Sequence, residues 1–413
     1  MDKQIRERIK LIQQGQIPVG YKKTEFGIFP CNWVTNKRLS DVGSFGKGKG
    51  IPGEKLANYG VPCVGYGDIY MKYNNFHFNK AESHVDEITA SESQPISKGT
   101  LLFTGTGETA DEIGKCVCYD GEEIIYAGGD IITFEAQNIN PLFLAYQQYQ
   151  PFSLKKKASF GQGHSVVHIQ TENLKMLNIA YPSSKEEQAR IVNVLKKWDK
   201  ANILLEKIIE NYRTKRRYLL KEVFEEKKES TKIRIGDFIQ EQSERNKTGI
   251  TNIKSVSNKR GFIDQRNQFS KIVASADVSN YKVVKNHNIA YNPSRINVGS
   301  IAIYEDDEPG VVSPMYIVFS CIGISPKFLL LLLETDRGKY EIESLLSGSV
   351  RNTLSYSDLC EVQLFLPHLD ESIVLKTFSL IETTIQMYEN YLKRVKAQRS
   401  TLQRYLLNGI VRV

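Results

Sequence analysis

Long apolar runs are missing from this sequence. The chain has 413 residues and is 41% hydrophobic, yet the run Phe328 to Leu333 falls far short of the ~18–20 apolar residues that a membrane span needs. No signal-peptide core follows Met1-Asp2-Lys3-Gln4, so a prokaryotic cytoplasmic protein with no membrane attachment is expected. Cysteine is sparse and scattered: Cys31, Cys63, Cys116, Cys118, Cys321 and Cys360 form no C-x-x-C pair and have no histidine pair beside them. That spacing excludes a zinc site or a disulfide framework and leaves reduced, mostly buried thiols. His164 and His168 are four apart, but Gly161 and Gly163 argue against a helix that would align them on a metal. A G-x-x-x-x-G-K-[ST] phosphate loop is absent, which excludes an ATP motor. So is the clustered-carboxylate pattern of a nuclease, because Asp306-Asp307-Glu308 precede Pro309-Gly310 and read as a solvated hairpin turn. Charge is not extreme either: the formal net charge is +8, which admits a polyanionic partner without demanding one.

What is present is a duplication. Asn140-Pro141-Leu142-Phe143-Leu144 recurs as Ser325-Pro326-Lys327-Phe328-Leu329, 185 residues later. Ile113-Gly114 matches Val298-Gly299 at the same offset, as do Tyr119 and Tyr304, Phe134 and Phe319, Gly163 and Gly348, Leu174 and Leu359, and Pro182 and Pro367. Further on, Arg217-Tyr218-Leu219-Leu220 returns as Arg404-Tyr405-Leu406-Leu407 at an offset of 187. Such an ordered series marks two copies of one unit. Each copy begins with short apolar runs punctuated by glycine, which read as strands and turns. After a proline, each ends in a long helix.

The helices are legible from their spacing. Ile191, Leu195, Trp198, Asn202, Leu205, Ile209, Tyr212, Arg216, Leu219 and Val223 alternate steps of four and three. Val374, Phe378, Ile381, Ile385, Tyr388, Leu392, Val395, Arg399, Leu402 and Leu406 do the same. A period near 3.5 is that of a coiled-coil seam, in which the polar Asn202, Arg216 and Arg399 would fix register. The expected fold is therefore α+β: two similar domains separated by a pair of long antiparallel coiled-coil helices, pseudo-two-fold symmetric. The expected boundaries are an N-terminal helix at 1–20, a first domain at 21–182, a central helix at 183–228, a second domain at 229–367 and a C-terminal helix at 368–413. Ile5, Ile9 and Ile12 lie on one face of the first of these helices, which is expected to dock beside the last.

Two motifs suggest an adenine methyltransferase. Phe103-Thr104-Gly105-Thr106-Gly107 looks like an S-adenosylmethionine loop, and Asn292-Pro293-Ser294 like the start of an N-P-P-[YF] site. The second lacks the aromatic that would stack on a flipped base, and the first lacks a surrounding βαβ pattern. They also fall on one and the same turn of the two copies, since Lys98 aligns near Lys285. One catalytic domain cannot draw both motifs from that turn, so no catalytic and no metal residue is expected.

Glycine-rich polar loops point to nucleic acid instead. The candidates are Lys47 and Lys49; Thr104 and Thr106; Gln162, His164 and Ser165; Asn258, Lys259 and Arg260; Tyr291, Asn292, Arg295 and Asn297; and Ser349 and Arg351. Glycine lets backbone approach phosphate closely, and Arg, Asn and Gln can read base edges.

With these residues assembled, the chain resembles the specificity subunits of type I restriction–modification systems. The resemblance rests on Gly60-Val61-Pro62 through Gly67-Asp68-Ile69, Gly99 to Phe103, and Pro182 through Glu187-Gln188-Ala189-Arg190-Ile191. In the second half it rests on Ser255 to Phe262, Tyr291 to Arg295, Gly299-Ser300-Ile301 and Val312-Ser313-Pro314. The second helix departs from the pattern, opening Asp370-Glu371-Ser372-Ile373 without a Glu-Gln pair. The resemblance implies two target-recognition domains, each reading half of a bipartite, asymmetric site in double-stranded DNA. It further implies helices that set the gap and bind two modification (methyltransferase) subunits, with restriction (motor–nuclease) subunits completing the complex. No cofactor is then expected in this chain, and S-adenosylmethionine, ATP and Mg belong to the partners. The rival readings are a stand-alone adenine DNA methyltransferase and a two-headed coiled-coil adaptor that binds only proteins.

Overall fold

The computed structural model describes residues 3–73, 76–163, 166–224, 230–258, 260–264, 277–347 and 353–413. The chain divides into two compact units, one of Met1–Glu206 with Asn390–Val413 and one of Lys207–Glu389. Each of the two long helices contributes residues to both units. The central helix spans Lys185–Phe224 and the C-terminal helix Glu371–Leu407.

Their starts follow from local chemistry. Ser184 Oγ accepts the Glu187 N–H, and Glu186 and Glu187 occupy the positive first turn of the central helix. Asp370 Oδ1 accepts the N–H groups of Ser372 and Ile373 at the head of the other. The seam residues Leu195, Leu205, Ile209, Phe378, Ile381 and Val395 are buried, and Trp198, Tyr212, Leu219, Ile385, Tyr388, Leu392 and Leu402 half-buried. In the first unit Asp199 pairs with Arg399 and Glu206 with Lys396. In the second, Tyr212 stacks on Tyr388, Arg213 pairs with Glu389, Arg216 with Glu382, and Phe224 packs on Phe378. From Asp199–Arg399 to Glu206–Lys396, and from Tyr212–Tyr388 through Arg216–Glu382 to Phe224–Phe378, one partner's number falls as the other's rises. The helices run antiparallel in both.

The duplication extends to sheet topology. The first unit has a five-stranded sheet in the order Gly43–Lys47, Ile131–Ala136, Thr100–Thr104, Cys116–Tyr119, His77–Phe78. The second has Ile239–Glu241, Ile317–Cys321, Ile289–Tyr291, Ile301–Ile303 in the matching order, with no counterpart of the last short strand among the described residues. Each unit adds an antiparallel pair beside the helix entry: Trp33–Arg38 with Asn178–Pro182, and Thr231–Arg234 with Gln363–Leu366. Matching detail reaches single atoms. Tyr119 Oη donates to the Glu123 carbonyl across 2.8 Å and Tyr304 Oη to the Glu308 carbonyl across 2.7 Å. Asn140 and Ser325 both cap a short helix, each accepting an N–H three residues on, from Phe143 and Phe328.

The missing Glu-Gln pair of the second helix has a counterpart. Asn140 N–H donates to Gln188 Oε1 across 2.8 Å, and Ser325 N–H donates to Glu371 Oε1 across 3.0 Å. A carboxylate at the head of the second helix does what an amide does at the head of the first.

Each unit has its own core. The first buries Phe29, Trp33, Phe103, Phe134, Phe143, Tyr146, Ile191, Leu195, Leu406 and Leu407 together. The second buries Leu220, Phe224, Phe319, Phe328, Leu329, Leu332, Val374 and Phe378. The N-terminal helix, Lys3–Gln13, is tied to the chain's other end: Arg8 donates to the Ile410 carbonyl across 2.5 Å and lies over the Tyr21 ring. Arg412 forms a two-pronged bond to Glu187, at the root of the central helix. No helix among the described residues is long and apolar enough to cross a membrane. All six cysteines are unpaired; Cys63, Cys116 and Cys118 are buried, Cys31 is exposed, and burial pushes the Cys116 thiol up to about 12.

Candidate nucleic-acid interface

Antiparallel pairing brings distant loops to one end of each sheet. In the first unit Lys47 pairs with Ile132, Ile131 with Thr104, and Phe103 with Cys116. The loops after Lys47, before Ile131, after Thr104 and before Cys116 therefore emerge at the same edge. Lys47 and Lys49 are exposed there. The backbone beneath them is fixed, with Gly48 N–H bonded to the Ile131 carbonyl and Lys49 N–H to the Ala127 carbonyl. Gly48 is required at this crossing, because a Cβ would stand 1.9 Å from the Gly128 carbonyl oxygen. Ile51, just beyond, has a φ of +57°, an uncommon conformation for a β-branched residue. The Thr106–Gly107 strand pairs with Val167–His168, and exposed Gln162 bridges backbone-to-backbone with His168. Thr106 and Gln162 thus belong to one surface with Lys47 and Lys49.

The second unit repeats this arrangement. Glu241 pairs with Phe319, Ile317 with Tyr291, and Tyr291 with Ile301, so the loop 292–300 leaves the equivalent sheet end. Exposed Arg295 and Asn297 lie on it. The hairpin Lys254–Ser257 with Gly261–Asp264 lays its turn alongside, and a Cβ on Gly299 would stand 3.6 Å from the Asn258 carbonyl. Asn258 and Arg260, both exposed, therefore join Arg295 and Asn297. Behind the turn, Lys254 bonds Asp264 and Asp306 at 2.8 Å each. Burial opposes its charge, but the two carboxylates outweigh that and hold its ammonium above the ordinary lysine range. Asp306 is thus an ion-pair partner and not merely part of a solvated turn.

Three of the sequence candidates face inward. Thr104 is fully buried: its hydroxyl meets Tyr70 Oη at 2.7 Å and accepts the Lys115 N–H at 3.0 Å. Tyr291 is also fully buried and donates to the Leu354 carbonyl. Asn292 is buried and its Oδ1 accepts the Ser294 N–H. These residues shape the turns and do not reach an outside ligand. His164, Ser165, Lys259, Ser349 and Arg351 lie outside the described residues. Tyr70 and Lys254 were not apparent as supports of the loops, since no spacing or motif links them to residues 104 or 306.

Residues 30–211 match the family model described as the type I restriction modification DNA specificity domain. The match makes residues 30–211, less than half of the chain, similar to that domain. No curated protein matches the chain. Among solved structures, the type I restriction–modification system S subunit from M. genitalium has 17% identity and a TM-score of 0.56, covering 91% of this chain and 96% of that one. A chain from a structure described as the basis of complex assembly and conformational transition of the type I R-M system has 12% identity and a TM-score of 0.52, covering 96% and 98%. At these identities both likenesses speak to the fold, and they span both halves. The two loop clusters are exposed polar surfaces at equivalent sheet ends of the two units. No group of residues suited to hold a metal ion occurs among the described residues.

Proposed function

We propose that each unit reads one half of a split, asymmetric site in double-stranded DNA, the first through Lys47, Lys49, Thr106 and Gln162, the second through Asn258, Arg260, Arg295 and Asn297. The observation that carries this reading is the recurrence of exposed polar loops at the same end of the same sheet in two halves of one chain. Lysine and arginine neutralise phosphate and position the protein, while Arg, Asn and Gln carry base choice. The paired helices set the gap between half-sites and bind two modification subunits, and restriction subunits complete the assembly. S-adenosylmethionine, ATP and Mg act in those partners, so this chain selects sequence in the bacterial or archaeal cytoplasm without itself catalysing.

Mapping methylated adenines in DNA exposed to the chain together with its modification partner tests this. A split sequence with a fixed gap is expected. Methyl transfer from labelled S-adenosylmethionine by the chain alone would overturn it in favour of a stand-alone methyltransferase. An affinity for DNA that does not change with salt would favour a protein-only adaptor.

A further inference from the structure

We infer that Tyr70 and Lys157 are positioning residues that lock two separate loops of the first unit, Gly105–Gly114 and Gly161–Gly163, into one reading element, and so govern base preference without touching DNA. This rests on the reading of that surface as a DNA contact.

The first loop is closed at its base: Thr104 N–H donates to the Lys115 carbonyl, and Lys115 N–H donates back to Thr104 Oγ1, both at 3.0 Å. With its acceptor side so engaged, the Thr104 hydroxyl has its proton free for Tyr70 Oη at 2.7 Å. Tyr70 Oη in turn donates towards the Thr106 carbonyl at 3.1 Å and the Glu112 carbonyl at 3.3 Å. One phenol thus spans both legs of the loop. Gly107 permits this approach, because a Cβ there would stand 2.8 Å from Tyr70 Oη. Lys115 also lies over the Tyr70 ring, 5.6 Å from its centre.

Lys157 closes the other side. It sits on the helix Pro151–Phe160, which leads directly into Gly161-Gln162-Gly163. Its side chain is 1% exposed, and Nζ donates to the Gly114 carbonyl across 2.7 Å. Burying an amine against a neutral carbonyl lowers its pKa to about 8. An arrangement this unfavourable for a lysine suits a fixed link between helix and loop. The two loops then meet directly: Ile169 N–H donates to the Gly105 carbonyl, and a Cβ on Gly161 would stand 3.5 Å from the Ala110 Cβ.

The experiment is selection from a randomised double-stranded DNA library by the full chain with its modification partner, comparing Tyr70→Phe, Lys157→Met, Thr104→Val and Thr104→Ser. The first three are expected to flatten preference in one half-site by on the order of tenfold, with the other half-site and the salt slope unchanged. Thr104→Ser, which keeps the hydroxyl, retains the parental preference. Unfolding of the first unit would also weaken binding to scrambled duplexes and change the salt slope, so lost preference with both of these retained separates positioning from mere folding. Hydrogen exchange gives a readout without DNA: amides in 105–114, 161–163 and 166–169 exchange faster in Tyr70→Phe, while those in 289–303 do not. If the parent selects a split sequence and Tyr70→Phe selects the same one equally sharply, the inference is overturned alone. If the parent selects no sequence, the DNA reading is overturned and the inference with it.

Discussion

Arg399 donates through Nε to Asp199 Oδ1 across 2.9 Å, with side chains only 8% and 4% exposed. Tyr146 Oη donates to the other Asp199 oxygen across 2.6 Å, Gln403 bonds the guanidinium, and the Phe76 ring lies 4.1 Å from its centre. A charge pair so enclosed contributes little net stability, but severing it strands a charge in the interior. Arg399→Met should therefore lower unfolding free energy by about 3–5 kcal/mol, and Arg399→Met with Asp199→Leu by much less. Urea denaturation of the three proteins measures this. Equal losses in the single and double variants would contradict it.

Lys157 makes stability depend on alkaline pH. Its pKa falls from 10.5 to about 8 on folding, so between those values the unfolded chain holds a proton that the folded chain has released. Stability contributed at this position rises with pH across that window, and the penalty is fully present below pH 8. Relative to Lys157→Met, the parent protein should gain on the order of 3 kcal/mol between pH 8 and pH 10.5. Parallel denaturation series with a constant difference would exclude it.

The two short-helix caps offer a matched pair of tests. Asn140→Ala and Ser325→Ala should each cost about 1 kcal/mol. Gln188→Ala and Glu371→Ala each deprive the same cap residue's N–H of its acceptor, at about 1–3 kcal/mol. Urea denaturation of the four variants measures this. Gln188→Ala and Glu371→Ala as stable as the parent would mean that these bonds do not matter to folding.

At the candidate interface, cations and readers should separate. Lys47→Ala and Lys49→Ala should weaken binding to all DNA sequences and reduce the salt slope by about 1 each. Arg295→Ala should cost about 1–3 kcal/mol on the preferred sequence and relax one base position. Fluorescence anisotropy across a salt series, on matched and scrambled duplexes, distinguishes these outcomes.

The gap between half-sites should follow helix length. Removing residues 207–213 and 387–393 together takes one heptad from each strut and leaves Asp199–Arg399 and Arg216–Glu382 in the sequence. Seven residues at 1.5 Å rise come to roughly 10 Å, or about three base pairs. Methylation mapping should return a gap shortened by about that amount; an unchanged gap would refute the idea.

Much of this was legible because the duplication writes the same instruction twice. The 185-residue offset anticipates matched strands, the caps at Asn140 and Ser325, and even the tyrosine bonds of Tyr119 and Tyr304. The four-three spacing picks out the seam, yet it passes over Asp199, which is buried against Arg399 and Tyr146. Thr104 and Tyr291 looked like loop residues because they end their strands, but which way a strand end points depends on what packs across it. For Thr104 that neighbour is Tyr70, 34 residues away and unannounced by any motif. Glu371 could not be matched with Gln188 from sequence, since the two sit at different steps from their own helix starts.

The inward-facing Thr104 and Tyr291 also bear on how such a protein could change its target. Buried anchors hold each turn from behind, while Thr106, Gln162, Arg295 and Asn297 are carried at or near the surface. Surface substitutions usually alter stability by under about 0.5 kcal/mol. Drift at the tips is therefore nearly free of folding consequences, and under the proposed reading of these loops a lineage can acquire a new target while inheriting its scaffold intact.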